Sequence, residues 1–149
     1  MTGKFTVKEA LTAIVVLVVI AAVALPMWHT HQLKIRREDA ANALRAVQVA
    51  QDDFFALHAR YANEAQLRLA APDSAFGSVV SATTTSKRGY YRISIKRSED
   101  DLTYTAVARA LPIEGQSIDT RCVEMRIDQN GRRYAVDASG ADRSADCWR

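Results

Sequence analysis

His29, His31 and His58 are the side chains of this 149-residue sequence best suited to binding a metal or moving a proton near neutral pH. Their spacing argues against both. His29 and His31 are two residues apart, so on a helix they point to different faces and do not chelate together as an i, i+4 pair would. No Ser–His–Asp or Cys–His arrangement can be assembled, and no set of residues takes the named roles of a catalytic centre, so no enzymatic activity, metal or cofactor is expected. The two cysteines, Cys122 and Cys147, have no neighbouring His or Cys partner for a metal motif. Behind an apolar N-terminal segment they read as one disulfide formed in an oxidising compartment, the alternative being two buried thiols. On the chain-entropy model such a bridge adds about 3.5 kcal/mol to a small domain.

Phosphate chemistry is the stronger rival. Lys87, Arg88, Arg92, Lys96 and Arg97 cluster with no acid between Asp73 and Glu99, interleaved with Tyr90 and Tyr91. Arg132, Arg133, Arg143 and Arg149 add charge near Cys147. Phosphates call for such cations, and aromatic rings can stack on bases. Against this, arginine is spread along the whole chain and the net charge is only +3, from 20 basic and 17 acidic residues. An ordinary solvated strand face is therefore preferred, with nucleic acid as an accessory partner.

The elements that must position these residues follow from hydrophobic pattern. Nineteen residues, Ala10 to Trp28, carry no charge and include ten Leu, Ile or Val. As a helix this run spans about 28 Å, close to the hydrocarbon thickness of a bilayer. Beyond Pro26 the stretch Leu33 to Tyr61 has no Gly or Pro. Ala40, Leu44, Val47, Phe54, Leu57 and Tyr61 recur at helical spacing as a packing face, leaving Asp39, Arg45, Gln48, Asp52 and Arg60 to face elsewhere. One long helix is expected over about Thr6 to Tyr61, kinked near Pro26, where proline removes a hydrogen bond. Residues 72–89 have loop composition. Four strands follow, Tyr90–Arg97, Leu102–Ala110, Arg121–Asp128 and Arg133–Asp137, with a turn at Ser98–Asp101 and a two-residue hairpin signal at Asn130-Gly131. Tyr91, Ile93 and Ile95 share one face of the first strand and Arg92, Ser94 and Lys96 the other; Val123, Met125 and Ile127 share a face of the third. The expected class is α+β: a long helix packed on a four-stranded antiparallel sheet, with a disulfide-bounded C-terminal loop.

These parts in this order resemble a type IV pilin of the small minor-pilin branch. Phe5-Thr6-Val7-Lys8-Glu9 is similar to the family's Phe-Thr-hydrophobic-X-Glu opening, and Pro26 falls where pilins carry a helix-kinking proline. Ala43–Tyr61 resembles the second half of the pilin helix, and Cys122…Asp146-Cys147-Trp148 the disulfide-bounded ending. The resemblance implies cleavage by prepilin peptidase directly before Phe5, after a glycine. In this chain Lys4 holds that place and Gly3 is one residue early, and a lysine side chain fits poorly in a subsite shaped for none. Lys8 likewise stands where an apolar residue is usual.

The resemblance also implies a role for Glu9. A carboxylate at the edge of a membrane helix costs free energy unless it is paired. In pilins its partner is the free amine of a neighbouring subunit's first residue, which sets register during assembly; the alternative places Glu9 among lipid headgroups beside Lys4 or Lys8. Ala22-Val23-Ala24 also resembles a signal-peptidase site, although the helical pattern continues past it. Basic residues flank the apolar run on both sides, Lys4 and Lys8 before it and Lys34, Arg36 and Arg37 after, so charge does not set the orientation. The disulfide and the resemblance both put the N-terminus in the cytoplasm.

The expected organisation is a leader over residues 1–4, a transmembrane and assembly helix over 5–28, and a globular domain over 29–149. The expected function is that of a structural, minor pilus subunit, anchored in the bacterial inner membrane with its domain in the periplasm, then incorporated into an extracellular filament. Its partners would be other pilin subunits, the pilus assembly machinery and prepilin peptidase. The alternatives are a DNA-binding minor pilin acting in DNA uptake, or a pseudopilin of a type II secretion system.

Overall fold

The computed structural model describes residues 7–70, 85–112 and 119–149. Helix α1 runs Val7–His58 and is followed by α2 (Glu64–Ala70), strands β1 (Tyr91–Arg97), β2 (Tyr104–Ala110), β3 (Glu124–Asp128) and β4 (Arg133–Val136), and the single turn α3 (Ser144–Cys147). The chain divides into two units, residues 1–34 and 35–149.

In the first unit α1 is long and apolar enough to cross a membrane. Its Leu, Ile and Val side chains, including Leu11, Ile14, Val15, Leu17 and Ile20, are exposed on every side. A helix apolar all round is one made for a non-aqueous environment. Thr12 hides its hydroxyl by donating to the carbonyl of Lys8 at 2.9 Å, which removes a polar group from an otherwise apolar surface. Pro26 lies within the helix.

In the second unit the four strands form one antiparallel meander in the order β1-β2-β3-β4. Ala40, Ala41, Ala43, Leu44, Val47 and Phe54 of α1 share one core with Tyr91, Ile93, Ala106, Ala108, Met125, Ile127 and Ala135 of the sheet. The α+β class and the alternation in β1 are as the pattern dictates. The alanines on the helix and on β2 bring backbone close to backbone, and the bulk is supplied by Leu44, Met125 and the tyrosines.

Three expectations need correction. Leu57 does not pack: it is 80% exposed. The helix stops at His58 and the chain reverses through Ala59, whose φ is +54°, so the register that would have carried Leu57 and Tyr61 onto one face ends. Tyr61 is buried beyond the reversal, stacked edge-on against Tyr104 with ring centroids 4.7 Å apart. Gln51 enforces that reversal. Fully buried, its side-chain amide donates to the carbonyl of Ala62 and accepts from that residue's N–H, each at 2.8 Å, which satisfies two buried backbone groups at once. The second is Asp39, set apart from the packing face by the helical pattern yet buried, because both its oxygens lie 3.3 Å from the N–H of Arg88.

The third concerns the last hairpin. The N–H of Asp128 donates to the carbonyl of Arg132, and Asp128 Oδ1 accepts from the N–H groups of Asn130 and Arg132. The loop is thus three residues, not two, with Gly131 at φ +73° supplying the left-handed position. Helix α2, absent from the sequence reading, is opened by a reciprocal cap in which Asn63 Oδ1 accepts from the N–H of Gln66 and Gln66 Oε1 from that of Asn63. Residues 72–84, expected to be loop, lie outside the described residues.

Candidate nucleic-acid interface

Antiparallel register decides which of the charged residues share a surface. In one row across the sheet Arg92 pairs with Arg109, Arg109 with Glu124 and Glu124 with Val136. In the next, Ser94 pairs with Val107, Val107 with Arg126 and Arg126 with Tyr134, and in a third Lys96 pairs with Thr105 and Thr105 with Asp128. Directly opposed residues project to the same side of a sheet. Since Tyr91, Ile93 and Ile95 with their partners face α1, these rows form the opposite, outer face. It carries Arg92, Lys96, Arg109 and Arg126 against the acids Glu124 and Asp128.

Arg92 and Lys96 are exposed, and among the described residues neither has an ion-pair partner. Lys87 and Arg88 sit in the turn leading into β1, held there by Asp39 and by a 2.8 Å bond from the N–H of Gly89 to the carbonyl of Ser86; both are exposed. Thr85 bridges to Arg92 beside the same edge strand. Four of the expected phosphate contacts are therefore neighbours along β1 and its entry turn. The N–H of Ile95 on this edge is taken by Glu64 Oε1 at 3.2 Å, one way an edge strand is kept from pairing with another chain.

Arg132 and Arg133 are not part of that group. Arg132 ends the turn before β4 and Arg133 opens that strand, at the far edge of the sheet from β1. Arg133 pairs with Ile127, so it belongs to the helix-facing row, and its guanidinium lies 5.3 Å from the ring centre of Trp148. Arg97, also in the basic run, turns to Asp101 and donates to the carbonyl of Tyr61 at 3.0 Å. Arg143 is paired with Asp137 at 3.0 Å. Base stacking by the two tyrosines is corrected as well. Tyr91 is fully buried, with its hydroxyl 3.4 Å from the carbonyl of Cys122, and Tyr90 is half-buried with Arg36 5.0 Å above its ring.

The sequence reading missed Arg109, Glu124 and Arg126. Glu124 is buried although it lies on the outer face, and it accepts from Arg109 on β2 and from Arg126 two residues along β3. Burial pushes the Glu124 carboxyl up, but hydrogen bonds from Arg109 and Arg126 outweigh it and hold the group below its ordinary value. The only hint in the sequence was two arginines flanking one acid once the strands were aligned.

Cys122 and Cys147 are bonded, tying α3 to the segment before β3. Trp148 completes the fixation by donating its indole N–H to the carbonyl of Tyr134 at 3.0 Å. Glu9 stands in the first turn of α1; Gly3, Lys4 and Phe5 lie outside the described residues. No group of three or more His, Cys, Asp or Glu that could hold a metal occurs among the described residues.

Residues 26–126, about two thirds of the chain, match the family described as "Type IV minor pilin ComP, DNA uptake sequence receptor". The solved structure of a type IV pilin from Shewanella oneidensis is similar at 19% identity, covering 68% of this chain and 89% of that one, with a TM-score of 0.46. No curated protein matches. The long apolar helix, the four-stranded meander, the C-terminal disulfide and the family match together establish that this chain belongs to the type IV minor pilin family.

Proposed function

We propose that this minor pilin enters a pilus through its N-terminal helix and that its β1 surface binds double-stranded DNA through the phosphate backbone. The observation that carries the DNA reading is the pair Arg92 and Lys96. They are exposed on one face of an edge strand without an acidic partner among the described residues, with Lys87 and Arg88 in the turn beside them. The matched family, described as a DNA uptake sequence receptor, makes DNA the natural anion for this surface and raises it above the purely structural reading that composition alone had favoured. Contacts of this kind position a protein on a duplex without reading its sequence.

Assembly rests on different residues. In this reading the mature chain starts at Phe5, Glu9 pairs with a neighbouring subunit's N-terminal amine, and α1 crosses the inner membrane with the globular domain in the periplasm before export. The expectation of a leader over residues 1–4 belongs to this proposal, as do prepilin peptidase and the assembly machinery as partners.

The test of the DNA reading uses the full chain in detergent micelles and a DNA duplex across a salt series. Arg92→Ala with Lys96→Ala should weaken binding and lower the slope of log K against log salt by about 1.8, the share of two phosphate contacts. An unchanged slope in the double variant removes β1 from the interface, and absence of salt-dependent binding by the wild-type chain removes the receptor role.

A further inference from the structure

We propose that Arg109 and Arg126 are further DNA contacts, and that Glu124 is the positioning residue that aims both guanidinium groups at backbone phosphates. The proposal rests on the DNA-binding reading above and extends the surface from the β1 edge across the two inner strands.

The argument begins with a carboxylate in the wrong place. The outer face is the open side of the sheet, yet the Glu124 side chain is only 7% exposed. A carboxylate is removed from water at that cost only when its oxygens are fully used. Oε2 takes Nε–H and Nη2–H of Arg109, and Oε1 takes Nε–H of Arg126, whose Nη2 lies against the same oxygen as an ion-pair contact. Both arginines therefore spend the same edge of the guanidinium on one acid. Each keeps Nη1 and the second Nη2 proton, the flat fork that meets a phosphate in a bidentate pair. Those forks reach water, since the Arg109 side chain is 67% exposed and that of Arg126 is 48% exposed.

The neighbouring column makes the arrangement more demanding. Arg92 lies directly opposite Arg109, and like charges so placed repel across a strand pair. Glu124 offsets only one positive charge and divides it between two arginines. Arg92, Arg109 and Arg126 thus occupy three adjacent strands with an unmet demand for anion on their outward side. A duplex backbone lying across the strands meets that demand, and a rigid guanidinium gives up less freedom on binding than a mobile one.

Charge and positioning make opposite predictions for Glu124→Gln. The substitution raises the net charge by one, so if Glu124 served only to neutralise, the variant would bind DNA more tightly. If it holds the forks in place, binding should weaken, by about tenfold for the loss of orientation at two bidentate sites. The measurement is duplex affinity of the full chain in detergent micelles across a salt series, with a cooperative melting transition confirming the fold. A second variant keeps the question open to refutation even where Glu124→Gln alone perturbs folding. The triple variant Arg109→Gln, Glu124→Gln, Arg126→Gln leaves no buried charge unpaired, and it should lower the salt slope by about 1.8. Tighter or unchanged binding by Glu124→Gln, or a wild-type slope in the triple variant, overturns the proposal while leaving the Arg92 and Lys96 result standing. A wild-type chain that shows no salt-dependent binding sinks the receptor reading itself.

Discussion

Arg37 on α1 and Asp119 ahead of β3, 82 residues apart in sequence, form a bidentate ion pair with Nε–Oδ2 and Nη2–Oδ1 both at 2.8 Å. Asp119 Oδ1 also accepts from the N–H of Cys122 at 3.3 Å, so one carboxylate fixes the helix, the entry to β3 and the position of a disulfide sulfur's residue. The hydrogen bond that Arg37 donates to Asp119, opposed by burial, raises the Arg37 pKa above its ordinary value, and the cation stays charged at any working pH.

The two members of this pair differ in exposure, and that difference predicts an order. The Asp119 side chain is 1% exposed and that of Arg37 17%. Arg37→Ala strands a buried carboxylate and should cost about 3–5 kcal/mol. Asp119→Ala leaves a cation that can swing toward water and should cost less, about 1–3 kcal/mol, chiefly through the orphaned N–H of Cys122. Denaturant unfolding of both variants checks the ranking; equal losses would mean that Arg37 is as trapped as its partner.

The bond between Cys122 and Cys147 closes a loop with a sequence separation of 25, and replacing either cysteine by Ser should lower stability by about 2–4 kcal/mol. Because Trp148 follows Cys147 directly and donates to Tyr134, the same variants should raise the solvent accessibility of the indole. Tryptophan fluorescence quenching reads that release; the comparison needs Trp28→Phe in both proteins, so that Trp148 alone reports.

Glu124 carries a pH signature. Its folded-state pKa lies below the ordinary value of 4.5, so folding favours the carboxylate. The stability it contributes is complete above about pH 4.5 and is lost as pH falls through the lower folded value. Asp100, Asp137 and Asp142 are also lowered and shift stability in the same sense. Glu124 is therefore isolated only by difference. The melting temperature of Glu124→Gln should fall short of wild type at pH 7, and the gap should close in acid. A gap that stays constant down to pH 2 would show that the arginine pair does not favour the charged form.

Sequence pattern made the strands legible because alternation in YYRISIKR and periodic apolar residues in α1 each report a single local constraint. What it did not show was set by pairing over distance. Arg109, Glu124 and Arg126 were unremarkable charges until antiparallel register laid Arg109 beside Glu124. Asp39 falls off the apolar packing face, and nothing in its own turn of helix reveals the N–H of Arg88 that meets it, 49 residues on. Leu57 followed the helical period faithfully, and failed because the helix ended at His58. Helix α2 had a readable signal, Asn63 and Gln66 spaced for a reciprocal cap, in a segment whose composition otherwise suggested little.

The last prediction concerns Glu9, in the first turn of α1 ahead of the apolar run. Glu9→Ala removes a charge from the edge of the membrane helix, so insertion should be intact or improved. If Glu9 sets register by pairing with a neighbour's amine, the variant should still be missing from filaments. Membrane fractions and sheared pili, probed for wild type and variant, separate the two effects, and intact mass adds a check on the partner. A mature chain beginning at Phe5 carries the amine that Glu9 requires. One retaining Met1 does not place it there, and one beginning at Leu25 has lost Glu9 altogether. Wild-type levels of Glu9→Ala in sheared pili would end the pairing role, whatever the N-terminus, because a filament that accepts the neutral side chain does not depend on its charge.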